Sequence, residues 1–183
     1  MYQLQFIKIK TTLIWITLWL ICHSCHIAFG LETNPIQPTQ NIERTIVQFE
    51  TSAGHFFIRL FTEDTPLTCQ NFLDYVENNY YDNTIIHRVI PRFIIQGGGF
   101  DKDLNPKPFM DPIQNEARKS KENLRGTIGM ALSVKKEHIG SQFYINLIDN
   151  PDLNYDIKTQ IGYPVFGEII EGMTVIEKIS RKK

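Results

Sequence analysis

The sequence predicts a mainly β domain carrying two helices, and three observations lead there. Short runs rich in β-branched and aromatic residues recur along the chain, each bounded by turn residues, which is the pattern of strands. Helical spacing of apolar residues follows Thr65-Pro66, and a second, short helix is expected after Gly172. The apolar stretch 84–100 is cut by Pro91-Arg92, so it reads as two short strands around a tight turn.

Composition bounds the organisation. A chain of 183 residues, 42% of them hydrophobic, fits one globular domain. Its 19 basic residues against 20 acidic ones leave no electrostatic footprint for a nucleic-acid partner. Residues 1–30 stand apart: Lys8 and Lys10 precede an apolar run at 13–22, long enough for a signal peptide and too short to span a bilayer comfortably. Ala28-Phe29-Gly30 supplies the small residues that signal peptidase prefers, so cleavage is expected after Gly30. The alternative is an uncleaved inner-membrane anchor at residues 11–29. Cys22-His23-Ser24-Cys25-His26 fits the haem-attachment pattern C-x-x-C-H, but cleavage would discard it. Cys69 is then the one cysteine left, so the exported domain has no internal disulfide. Residues 31–43, polar and proline-bearing, form a flexible lead-in to the domain at 44–183.

Within that domain, residues 44–50 and 55–61 form a hairpin around Thr51-Ser52-Ala53-Gly54. Thr65-Pro66 opens the first helix, with the hydroxyl as cap and proline in the first turn. Cys69, Phe72, Leu73 and Val76 follow at i, i+3, i+4 and i+7, one stripe that needs a sheet to cover; Cys69 on it reads as a buried, inert thiol. The helix ends near Asn78-Asn79. After the two strands of 84–97, Gly97-Gly98-Gly99 marks unusual dihedrals or a close approach by a neighbour. Residues 101–125, with three prolines and no period, make a connection of the length that usually serves function. Three more short strands are expected at 126–131, 140–146 and 162–167, then a short helix at 172–180, with Arg181-Lys182-Lys183 solvating the terminus.

Three polar side chains sit inside the 84–100 stretch: His87, Arg88 and Gln96. A guanidinium keeps its charge, so Arg88 in a half-buried strand needs an acceptor or an opening to solvent. Taken alone, such an arginine reads as part of a solvated face. The string His87-Arg88-Val89-Ile90-Pro91-x-Phe93-x-Ile95-Gln96-Gly97-Gly98-Gly99-Phe100, however, resembles the signature of the cyclophilin family of peptidyl-prolyl cis-trans isomerases. Gly-Thr-Ile-Gly-Met-Ala at 126–131, Gly-Ser-Gln-Phe-Tyr-Ile-Asn at 140–146 and Gly-Tyr-Pro-Val-Phe-Gly at 162–167 resemble further blocks of that family, in its order. The similarity covers roughly residues 44–180. Asn115-Glu116-Ala117 resembles a piece of the bacterial members.

The resemblance implies an antiparallel β-barrel capped by two helices. Family members usually continue into a final strand that closes the barrel against the first; this chain stops at Lys183, so seven strands are expected and the closing one is not. It also implies catalysis of rotation about the peptide bond preceding proline, which breaks no bond and requires no nucleophile, metal or cofactor. Arg88 matches the family's catalytic arginine. Phe93, Ile94, Tyr144 and Leu153 match the apolar proline pocket, and Gln96 a groove glutamine that orients Arg88. Ala131, Leu132 and Gln142 match contacts to residues ahead of proline, and Tyr163 a rim position. Four residues depart from the usual pattern. Arg92 stands where many members have glycine, Ile94 where methionine is common, and Tyr144 adds a hydroxyl to the usual phenylalanine, which needs a partner if buried. Asp152 replaces an aromatic important for cyclosporin, so cyclosporin binding is expected to be weak. The expected protein is a monomeric isomerase that acts on proline-containing polypeptides and assists folding of exported proteins, in the periplasm of a Gram-negative bacterium. The alternative is a weak or inactive proline-peptide binding module of the same fold, favoured by the missing strand and Asp152.

Overall fold

The computed structural model describes residues 8–12, 45–132 and 138–181. Its elements are β1 (Lys8–Thr12), β2 (Ile46–Thr51), β3 (Gly54–Leu60), α1 (Pro66–Glu77), β4 (Ile86–Ile90), β5 (Ile94–Gly97), β6 (Ile113–Gln114), β7 (Thr127–Leu132), β8 (His138–Asn146), β9 (Val165–Glu171) and α2 (Met173–Ser180), with a 3-10 turn at Pro151–Leu153. The strands pair antiparallel in the order β1-β2-β3-β9-β7-β8-β5-β4, and β6 adds to β8. This curled antiparallel sheet with two helices is the mainly β fold that the sequence predicts.

Two strands go beyond the sequence-based count. Ile113–Gln114 pairs with the start of β8 inside the connection expected to be irregular; two residues are too few to show a period. Lys8–Thr12, part of the expected leader, lies along β2 with Lys8 opposite Glu50 and Thr12 opposite Ile46. The rest of the leader and the lead-in at 31–43 lie outside the described residues, as do 133–137 and the last two lysines.

Alternation along the strands supplies the core. Val47 and Phe49 of β2, Phe56 and Ile58 of β3, Ile128 and Met130 of β7, and Phe143 and Ile145 of β8 are all buried, two residues apart on each strand. Helix α1 lays Cys69, Phe72 and Val76 over them, with Thr68, Asn71 and Tyr75 also buried. Phe49 and Phe56 stack at 4.4 Å, Phe49 meets Phe143 edge-on at 5.5 Å, and Phe72 packs on Phe166 at 5.0 Å. Each such ring contributes about 2–3 kcal/mol through burial alone. Cys69 is 1% exposed, and burial pushes its thiol up to about 12. It is an inert core residue.

The helix start differs from expectation. The hydroxyl of Thr65 turns back to Phe61 O and toward Cys69, and caps no amide of α1. The carboxylate of Glu116 does so instead, accepting from the backbone N–H and the hydroxyl of Thr68, both at 2.8 Å. An anion is favoured there because the first amides of a helix lack partners and carry partial positive charge. Glu116 belongs to the 101–125 connection, which is fastened elsewhere too. Tyr80 Oη donates to Lys107 O, Met110 N donates to Tyr75 Oη, and Asn115 Nδ2 donates to Gly162 O.

Candidate active site

Strand register builds the site. Arg88 of β4 is opposite Gln96 of β5, Gln96 is opposite Tyr144 of β8, and Tyr144 is opposite Gly129 of β7. Directly opposed residues share a face, so these four form one row across four strands. The face is the one turned away from the core, because their sequence neighbours Ile95, Phe143, Ile145, Ile128 and Met130 point inward and are buried. Gln142 and Ile94, two residues from members of the row, belong to the same face.

Within the row the polar groups are chained. Arg88 Nη1 donates to Gln96 Oε1 at 3.2 Å, and Gln96 Nε2 donates to Gln142 Oε1 at 2.8 Å. That order fixes both amides: each glutamine oxygen is an acceptor, and Gln96 presents its carbonyl to the guanidinium. Arg88 is exposed, so its bond to Gln96 holds a charged fork at the surface while using only part of its donor set. Gly99 makes the relay possible. A Cβ there would stand 2.5 Å from Gln142 Cγ, so glycine leaves the space that the Gln142 side chain occupies. The Gly triplet thus serves a close approach as well as a turn.

Beside the relay lies an apolar group. Phe93 sits half-buried in the turn between β4 and β5, Leu153 half-buried in the 3-10 turn, and Tyr163 half-buried before β9. Ile94 and Tyr144, on the same face as the relay, are 4% and 2% exposed. They form a floor more than a wall. Tyr163 N donates to Leu153 O at 2.9 Å, and the Tyr144 and Tyr163 rings meet edge-on at 6.1 Å. Ala131 and Leu132 sit half-buried at the end of β7, past an irregularity in its pairing with β8. Arg92 has φ +59°, a left-handed conformation that costs an ordinary residue about 1–2 kcal/mol. The glycine common at this position in the family has a plain physical reason. Asp152 is exposed in the 3-10 turn.

The hydroxyl of Tyr144 finds its partner in a residue that sequence reasoning missed. It donates to Asn123 Oδ1 at 2.5 Å, and burial holds its pKa well above the ordinary tyrosine value. Asn146 Nδ2 donates to the same oxygen and to Thr127 Oγ1, and Asn150 Nδ2 donates to Asn146 Oδ1 and to Phe93 O. Asn123, Asn146 and Asn150 are buried. The asparagine at 146, which ends β8 straight after Phe143, Tyr144 and Ile145, was the available signal, since strands disfavour it unless its amide is satisfied.

The chain resembles known proteins along most of its described length. A family model described as cyclophilin type peptidyl-prolyl cis-trans isomerase/CLD matches residues 46–183. A peptidyl-prolyl cis-trans isomerase of Acinetobacter baylyi is 44% identical over 139 residues, 76% of this chain and 73% of the relative. Peptidyl-prolyl cis-trans isomerase B of Escherichia coli is 43% identical over 136 residues, 73% of this chain and 83% of that protein. Among solved structures, a cyclophilin type peptidyl-prolyl cis-trans isomerase of Cryptosporidium parvum aligns with a TM-score of 0.64 at 30% identity, covering 75% of this chain and 84% of the other. The same protein in the presence of the dipeptide Ala-Pro aligns with a TM-score of 0.63 at 31% identity, covering 74% and 84%.

Proposed function

This chain belongs to the cyclophilin-type peptidyl-prolyl cis-trans isomerases, and on that premise we propose that Arg88 is its catalytic residue. Rotation about an X-Pro bond faces a barrier of roughly 18–20 kcal/mol because the C–N bond has partial double-bond character. A catalyst need only hold the twisted form better than the planar ones. In the twisted form the proline nitrogen regains its lone pair, and a fixed donor aimed at it lowers the barrier electrostatically. Arg88 suits this role because its charge is permanent and because Gln96, steadied by Gln142, fixes one arm of the fork. That relay is the observation that carries the assignment.

The ligands are proline-containing polypeptides. The proline ring would rest against Phe93, Leu153 and Tyr163, over Ile94 and Tyr144, while Gln142, Ala131 and Leu132 meet the residues ahead of it. Asp152 supports weak cyclosporin binding, because an exposed carboxylate offers no flat apolar contact. We extend the proposal to a monomer that assists folding of exported chains, with no nucleic-acid partner. The leader features of residues 1–30 support export to a Gram-negative periplasm, and the amino-terminal sequence of the secreted chain tests it: a start at Leu31 supports cleavage, an intact leader the membrane anchor.

The activity test is exchange NMR on a short Ala-Pro peptide, whose uncatalysed exchange takes tens to hundreds of seconds. The native chain accelerates exchange, and Arg88→Ala lowers kcat/KM by about 10²–10³-fold, the usual effect of removing one donor to transition-state charge. Peptide affinity without turnover, unchanged in Arg88→Ala, would make the protein a binding module.

A further inference from the structure

We infer that Asn123 is the positioning residue of the proline pocket, and that Gly129 exists as glycine so that the Tyr144 hydroxyl can reach it. This rests on the reading that Tyr144 forms the pocket floor. Every polar group of Asn123 is engaged: two of its six hydrogen bonds end on pocket residues, Tyr144 and Tyr163, and the other four on the asparagines Asn146, Asn150 and Asn154 beside them. Its Oδ1 accepts from Tyr144 Oη and Asn146 Nδ2. Its Nδ2 donates to Tyr163 O at 3.3 Å and to Asn154 Oδ1 at 3.2 Å, and its backbone N–H donates to the same Asn154 oxygen at 2.7 Å. Its carbonyl accepts from Asn150 N at 2.8 Å, and Asn150 in turn holds Phe93 O. Floor, rim and turn are thereby tied to one buried amide: Tyr144 directly, Tyr163 through its carbonyl, Phe93 through Asn150, and Leu153 through its neighbour Asn154.

The space for this bond is specific. A Cβ on Gly129 would collide with the Tyr144 hydroxyl and lie 2.5 Å from its Cζ. Glycine is otherwise unfavourable in a strand interior, where it loses backbone entropy and packs nothing. Gly129 is flanked by buried Ile128 and Met130, and nothing at its backbone calls for a left-handed conformation. The paired observations point to interlock: a hydroxyl that needs room, and a strand position opposite it that gives up its side chain.

The test uses the full chain with Tyr144→Phe, Gly129→Ala and the double variant, reading kcat and KM separately by peptide exchange, with thermal unfolding alongside. A pocket that grips planar and twisted proline alike contributes uniform binding, so loosening its floor moves KM and not kcat. Tyr144→Phe is expected to raise KM about three- to tenfold, the size of one neutral hydrogen bond. Gly129→Ala, which forces the ring aside, loses more in kcat/KM. The double variant recovers to near the Tyr144→Phe level, because the ring without its tether yields to the added methyl. An unchanged KM in Tyr144→Phe overturns the inference, as does a double variant no better than Gly129→Ala. If Gly129→Ala does not fold, the double variant decides: folding supports the interlock, and failure to fold overturns it. Arg88→Ala run in parallel separates the two readings. Activity indifferent to Arg88 breaks the site assignment itself, while Arg88-dependent activity with an unmoved KM breaks only the interlock.

Discussion

His87 precedes Arg88 in β4, where the pairing with β5 shifts register. Its ring packs edge-on against Phe100 at 4.6 Å, and its Nδ1 is buried with no hydrogen-bond partner among the described residues. Burial, and then the charge of Arg88, lowers its pKa from the ordinary 6.5. The sign of the stability effect follows. Well above 6.5 the imidazole is neutral in both folded and unfolded chains and contributes nothing. As pH falls through 6.5 the unfolded chain takes up a proton that the folded chain resists, so stability falls until the lower folded value is passed. Urea unfolding between about pH 7.5 and pH 5.5 is expected to show this loss, and His87→Phe to flatten it; an unaltered slope in the variant would place the titration elsewhere. At this scale the resemblance pointed to Arg88, Gln96 and Gln142, and the structure joins the three side chains by hydrogen bonds. Asn123 and Gly129 were not legible, because their importance lies in what stands opposite them after folding.

At the scale of elements, helix α1 illustrates the same division. Its span was readable from the proline and the apolar stripe, whose spacing is local. Its cap was not, because Glu116 lies 48 residues from Thr68, just past β6, and spacing along the chain says nothing of that contact. Removing that carboxylate leaves a first-turn amide and a hydroxyl without their acceptor. Glu116→Ala is expected to cost about 1 kcal/mol, as loss of a helix cap does, while Glu116→Gln, which keeps a carbonyl oxygen in place, costs less. Urea midpoints compared at equal m-value check this; equal losses for both variants would show that charge and not hydrogen bonding stabilises the helix start.

For the whole molecule, seven of the nine described strands could be listed from pattern, but their order across the sheet could not. β9 lies between β3 and β7 although it comes last in sequence, and alternation along a strand says nothing of which neighbour it takes. Resemblance supplied the barrel class but not that order. It also raised the question of what covers β2, and in this structure Lys8–Thr12 does, residue for residue from Thr12 opposite Ile46 to Lys8 opposite Glu50. An uncovered strand edge exposes a row of amides and carbonyls to water and to other chains. Hydrogen exchange on the full chain and on a chain beginning at residue 31 therefore bears on the fold as a whole. In the full chain every second β2 amide is held by β1 and the alternate ones by β3. In the shorter chain the first set is expected to exchange at rates set by local opening while the second keeps its protection. Protection unchanged on both sides of β2 would show that another segment covers the edge, and loss on both sides that β1 is needed to keep the hairpin on the sheet.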